Sequence, residues 1–270
     1  MKKLLFSLLI VVMASPVVMS ESILIVTDAP ELEVAGGGQL GDYLRSLGYQ
    51  VTADEGNPDQ NPGGNSAYRD ILSDEQIAHL ESFDLVIVHR STNSGDFDNF
   101  IEQWNELQVP LLLGSAYLGR NNPLRWNWVV GGQARETSQN LFIEDENHPI
   151  VRGMGIDVFT EPRDVDYLNT AGDVGNGHLI ASTEVNFGTY IASWDDPGSF
   201  VPDGVETHTH RRVFFALLRY FEASDTDCIG CSFDNYTDNG KRLIANAVEY
   251  AIHGVVTGLP PTNVGNWDLY

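Results

Sequence analysis

Pro110-Leu-Leu-Leu-Gly-Ser-Ala-Tyr-Leu-Gly-Arg120 decides the fold. An apolar triplet with a proline before it and a glycine behind it has the pattern of a strand buried on both faces, as in a parallel sheet. The glycine-flanked turn that follows is the geometry in which many α/β enzymes hold a nucleophile above the sheet edge. The residue two past Gly114 is Ala116, which has no nucleophilic atom. The stretch therefore predicts a strand-end site whose crest lacks the group needed for covalent catalysis.

Upstream, Ser22–Thr27, Tyr49–Ala53 and Asp84–His89 are apolar enough to be buried strands. Between them lie helical patterns: Gly38–Leu47, ending at Gly48; Ser73–Glu81, with Ser73 as cap and Asp74 and Glu75 in the first turn; and Asp96–Leu107. In the last, Phe97, Phe100, Ile101 and Trp104 form a core stripe. This β-α-β-α-β-α-β order predicts an α/β fold, a mostly parallel sheet with right-handed crossovers and helices on both faces. Asn57–Asn65, rich in Gly, Pro and Asn, predicts a loop. Beyond Arg120 the pattern loosens, and Trp126 and Trp128 in their Gly- and Asn-rich setting suggest an exposed insertion. Strand-like pieces follow at Asn140–Ile143, Ile156–Thr160, His178–Thr183, Phe187–Trp194 and Arg212–Leu217, then a helix over Asp238–Ile252.

Met1-Lys-Lys followed by an apolar run and small residues has the form of a signal peptide over residues 1–20, cut after Ser20. The apolar run is short of the ~20 residues of a spanning helix. The expected organisation is that signal, one domain over 21–257 and a flexible tail over 258–270, with a secreted or periplasmic location. The 38 Asp and Glu against 15 Lys and Arg give a net charge of −23, which disfavours nucleic acid and, after signal cleavage, membranes as partners. The pair Cys228 and Cys231 sits in a polar setting that favours a local disulfide over redox or zinc chemistry. The segments around Asp225 and Asp234–Asp238 do not form a calcium loop.

Ligands in open parallel sheets sit at the carboxyl ends of the strands. The groups expected there are Asp28, His89, Arg90, Ser115 and Tyr117, which together offer a carboxylate, an imidazole, a guanidinium and two hydroxyls to a small molecule. Gly36-Gly-Gly-Gln-Leu-Gly41 matches the dinucleotide fingerprint formally, but its first glycine falls well past the end of the strand at Thr27, so a loop entering a helix is the better reading and no cofactor is expected. Ser115 lies one residue early for a hydrolase elbow. His208 and His210, with Glu206, fall on one side of an extended segment and are the candidate metal ligands, against a plain polar loop.

The strands Ile23–Asp28, Asp84–His89 and Pro110–Gly119, with His148–Gly153, Arg211–Phe215 and the Asn239–Ala251 segment, resemble the ThuA-like (trehalose-utilisation) branch of the class I glutamine amidotransferase-like superfamily. The resemblance covers about Ser22 to Gly254. It implies a flavodoxin-like three-layer α/β/α sandwich with a site at the elbow, where amidotransferases carry a Cys nucleophile and, after a late strand, a His. By position the Cys is replaced by Ala116, the second glycine (Gly119) comes one residue late, and Ala216, Leu217 and Leu218 stand where the His is sought. The resemblance thus implies a ligand-binding or accessory protein linked to carbohydrate metabolism and not a glutamine amidotransferase. The alternative is a hydrolase or sugar-modifying enzyme working through His89 and Asp28, or through a metal at His208 and His210.

Overall fold

The computed structural model describes residues 20–28, 40–54, 66–69, 71–97, 101–202, 204–218 and 233–257. Residues 1–19 of the signal segment, the whole Asn57–Asn65 loop, most of the glycine motif that ends at Gly41, both cysteines and the C-terminal tail lie outside the described residues. Along the chain come β1 (Ser22–Val26), α1 (Leu40–Ser46), β2 (Gln50–Ala53), α2 (Asp74–Leu80), β3 (Leu85–Val88), α3 (Ile101–Asn105), β4 (Leu111–Leu113) and α4 (Ala116–Gly119). Then follow β5 (Gly132–Ser138), β6 (Leu141–Ile143), β7 (Arg163–Asn169), β8 (His178–Thr183), β9 (Thr189–Trp194), β10 (Gly198–Ser199), β11 (Thr207–His208), β12 (Arg212–Phe215) and α5 (Asp238–His253).

The sheet runs β2-β1-β3-β4-β12-β9-β7-β5, with β8 and β6 continuing from β9, while β10 and β11 form a separate ribbon. From β2 to β12 every pairing is parallel. This is the part that the alternating strand and helix pattern predicts, and its apolar strands are buried throughout β1, β3, β4 and β12 except at Ser22. Beyond β12 the sheet turns antiparallel. The whole is an α/β sandwich with a mixed, mostly parallel central sheet, and no helix among the described residues is long and apolar enough to cross a membrane.

Helix ends follow local chemistry. Ser73 and Gln76 make a reciprocal capping box at α2, and Thr237 caps α5 by accepting from Gly240 N. The buried face of α5, including Leu243, Ile244, Ala247, Val248 and Ala251, packs over β12, β4 and β3.

Three expectations change. Trp126 and Trp128 are fully buried, not an exposed insertion. Trp126 stacks on Trp104 at 5.2 Å, and Trp128 on Phe200 at 5.1 Å. Their indole N–H groups donate to the Phe97 carbonyl and to Asn105 Oδ1, which permits complete burial. Ile156–Thr160 is not a strand: it makes only single bridges, and the N–H groups of Val158 and Thr160 turn to Gln139 and Asn235. Third, β5 and β7 pair over seven positions although their sequences, Gly-Gln-Ala-Arg-Glu-Thr-Ser and Arg-Asp-Val-Asp-Tyr-Leu-Asn, are too polar to announce strands.

Arg212 opens β12 and is fully buried. It donates to five carbonyl oxygens: Asn105, Leu107 and Val109 at 2.8 Å, and His210 and Arg211 at 3.2 Å. Burial pushes its pKa down to about 9. Replacing Arg212 by Met is expected to strand these carbonyls and cost roughly 3 kcal/mol or more in urea unfolding, with Lys recovering only part of it. An unchanged unfolding midpoint in Arg212→Met would show that the carbonyls find other partners.

Candidate functional site

The elbow forms because β4 is only three residues long and ends at Gly114. A Cβ on that glycine would lie 2.7 Å from Leu217 Cδ1 and 3.2 Å from the Arg90 amide nitrogen, so neither neighbour could keep its place beside a side chain. Gly114 N donates to Val88 O and Leu217 N to Gly114 O, which knits the ends of β3, β4 and β12 together. Ala116 at the crest is fully buried, as is Ala216, while Leu217 and Leu218 are nearly so. A methyl group and an apolar plug occupy the positions at which the resemblance places nucleophile and base.

Four of the expected binding groups lie at this end, but they do not converge as a set. Arg90 is buried and gives two hydrogen bonds to Asp166 Oδ2, from Nε at 2.8 Å and Nη2 at 2.6 Å. Arg135, opposite Asp166 in the β5–β7 register, donates to Oδ1 at 2.9 Å. Burial alone would raise the Asp166 carboxyl, but the two guanidiniums outweigh it and hold the pKa below the ordinary carboxylate value. The Arg90 guanidinium also lies 4.5 Å from the centre of the Tyr117 ring, and that of Arg120 lies 5.4 Å from it. Arg120 donates to Gln133 at 2.9 Å, its Nε is buried without a hydrogen bond, and burial followed by repulsion from Arg125 lowers its pKa. Ser115 is fully buried at the start of α4, and its hydroxyl has no hydrogen-bond partner among the described residues. His89 is fully buried at the end of β3, where Nδ1 accepts from Ser91 N at 3.3 Å.

Asp28 works elsewhere. It accepts from Ser66 N at 2.8 Å, Asn93 N at 2.6 Å and Arg69 Nε at 3.1 Å, and Arg69 Nη1 bridges on to Asp96 at 2.6 Å. These bonds tie the loops around the end of β1 together. His208 and His210 do not form a pair of ligands either. His208 Nδ1 donates to the His210 carbonyl at 3.0 Å, and Glu206 accepts from Asn105 at 3.2 Å. Among the described residues no three His, Cys, Asp or Glu side chains are placed to hold a metal.

Nothing in the local sequence marks Asp166, Arg120 and Arg135, whose place at the elbow depends on the β5–β7 pair and the turn after α4. The same holds for a polar cluster at the opposite end of the sheet. There His178 bonds Asp145 at 2.9 Å, and Asp195 Oδ1 accepts from Tyr250 at 2.9 Å and Arg211 at 3.0 Å. His148 lies 4.6 Å from the Tyr250 ring, with Nε2 buried and without a partner among the described residues.

No family model and no curated protein matches the sequence. Among solved structures, a protein of Bacteroides uniformis named ThuA-like is 12% identical, with 89% of this chain and 94% of that one aligned at a TM-score of 0.52. A second, named ThuA-like, from Parabacteroides merdae is 9% identical over 90% and 94% of the two chains, with a TM-score of 0.47. A protein of Salmonella typhimurium named as cytoplasmic is 13% identical over 85% and 98%, with a TM-score of 0.49. The chain therefore has the fold of the ThuA-like proteins. The expected secreted or periplasmic location is corrected and no compartment is assigned: the Salmonella protein is named as cytoplasmic, and residues 1–19 lie outside the described residues.

Two predictions follow from the charges. Replacing Asp166 by Ala leaves Arg90 buried without its counter-ion and is expected to cost about 3 kcal/mol in denaturant unfolding, more than Asp166→Asn. An equal loss in the two would show that geometry and not charge holds Arg90. For His148, burial, then the nearby His178, pushes the imidazole down to about 4 from 6.5. The unfolded chain takes up this proton near pH 6.5 and the folded chain only near pH 4, so its contribution is complete above pH 6.5 and is lost as pH falls toward 4. The loss is on the order of 3 kcal/mol, and urea unfolding of His148→Asn should be flatter across that window than the parent.

Proposed function

We propose that this chain is a ThuA-like ligand-binding or accessory protein linked to carbohydrate metabolism, and that it takes a small acidic sugar at the elbow. The observation that carries the reading is the gathering of guanidiniums there. Arg90 and Arg135 both donate to Asp166, and Arg120 donates to the amide oxygen of Gln133, so three guanidiniums gather at one end of a chain whose net charge is −23. Guanidiniums gathered against one acid in an acidic protein suit a carboxylate or phosphate, which they bind through paired hydrogen bonds. The half-buried Tyr117 supplies a hydroxyl for those of a sugar. The likeness to the Bacteroides protein named ThuA-like supports the family, and the apolar crest at Ala116 and Leu217 supports binding without acyl transfer.

Calorimetric titration of the full chain with D-glucuronate and D-glucose tests this. Saturable binding of the acid, weaker or absent binding of the neutral sugar, and at least a tenfold loss in Arg135→Ala and Arg120→Ala are expected. Binding of neither sugar, or binding of glucuronate unaltered by both substitutions, would remove the proposal.

A further inference from the structure

We infer that the cleft at the opposite end of the sheet is a second site, which takes a small molecule carrying a protonated amine. The register places it. Arg212 begins β12 and lies opposite Trp194 at the end of the antiparallel β9, whose Ser193 in turn faces His178 at the start of β8. All three positions therefore fall at the amino ends of the parallel strands, while the elbow lies at their carboxyl ends. The cleft has a volume of about 480 Å³, and its walls include Asn176, His178, Asp195, Asp196, Ser199 and His208. This volume is in the range of small-molecule sites. Trp194 forms part of the floor, and Gly177 admits it: a Cβ there would lie 2.6 Å from the indole ring.

What the walls leave unused is acceptor capacity. Several donors are already engaged: Asn176 Nδ2 bonds the carbonyl and hydroxyl of Ser199, each at 3.0 Å, Asn176 N bonds Phe200 O, Gly177 N bonds Val174 O, and Ser193 donates to Asp195 at 3.2 Å. His208 is 3% exposed and packs its ring 4.7 Å from Phe200. Because Nδ1 must donate to the His210 carbonyl, Nε2 carries the lone pair, and it has no hydrogen bond among the described residues. Burial dominates over the nearby Asp195 and Asp196 and holds the His208 pKa below its ordinary value, so this nitrogen is an acceptor near neutral pH.

The charges point the same way. Asp195 is balanced by Arg211 at 3.0 Å and Asp145 meets His178 at 2.9 Å, but Asp196 has no ion pair among the described residues. One unbalanced carboxylate beside a neutral imidazole acceptor matches one ammonium group, whose protons need acceptors and whose charge needs a single counter-ion. An anion would meet the carboxylates of Asp195 and Asp196. A metal ion lacks a third placed ligand among the described residues.

The test is calorimetric titration of the full chain and its variants with D-glucosamine, D-glucose and zinc ions, with the His208 imidazole signals followed by NMR wherever His208 is present. Glucosamine should saturate and move those signals, glucose should not, and Asp196→Asn, at an exposed position, should weaken glucosamine at least fivefold. His208→Phe, which keeps a ring against Phe200, should weaken it further. Glucosamine binding untouched by Asp196→Asn, equal binding of glucose, or zinc binding that both substitutions abolish would each overturn the inference.

Discussion

The guanidinium of Arg212 holds the seam on which the molecule is built. Its strand pairs in parallel with β4 on one side and antiparallel with β9 on the other, so the change of sheet direction occurs at β12. The connection from α3 into β4 wraps around this one side chain and presents it with the carbonyls of Asn105, Leu107 and Val109. All its hydrogen-bond partners among the described residues are carbonyl oxygens. A neutral apolar side chain could fill the volume but not satisfy those groups, and buried carbonyls without donors are costly. Because β4 has only three residues, fixing its start fixes Gly114 and the elbow at its other end.

The same junction organises the aromatic core. Asn105, whose carbonyl Arg212 holds, receives the Trp128 indole proton on Oδ1 and donates from Nδ2 to the Trp126 carbonyl and to Glu206. From there the rings run from Trp104 through Trp126 and Trp128 to Phe200 and Trp194. Phe200 then meets His208, so the packing that begins under the elbow-bearing strands ends in the wall of the distant cleft. One hydrogen-bonded residue thus links the sheet seam to the ring contacts that shape both ends.

How much of this was legible follows from where the signal resides. β1, β3 and β4 were readable because a strand buried on both faces must be apolar throughout, and α5 because its buried residues recur at helical spacing. β5 and β7 were not readable because their charges face each other: Arg135 opposite Asp166 looks like two solvated residues until the register brings them together. Trp126 and Trp128 were misread for a related reason, since Gly and Asn neighbours signal a loop but say nothing of what the loop covers. Arg90 could be named from its place just past a strand, yet its partner lies 76 residues away and no local pattern connects them. The spacing of His208 and His210 suggested convergence, whereas β11 ends between them and one uses the other's carbonyl.

The acidic surplus takes on a different meaning once both ends are considered. A net charge of −23 spread evenly would favour cations everywhere and leave no place for an anion. Instead Arg90, Arg120 and Arg135 lie together at the carboxyl ends of the strands, and Asp145, Asp195 and Asp196 lie at or beside the cleft at the amino ends. Side chains of like sign at one end raise each other's free energy, as the effect of Arg125 on Arg120 shows, so such segregation opposes folding unless packing or a ligand offsets it. At the elbow Asp166 offsets part of that repulsion for Arg90 and Arg135, whereas Arg120 donates to the amide oxygen of Gln133. Guanidiniums thus gather locally in a protein whose average charge is negative, and it is on this local contrast that the proposed anion site rests.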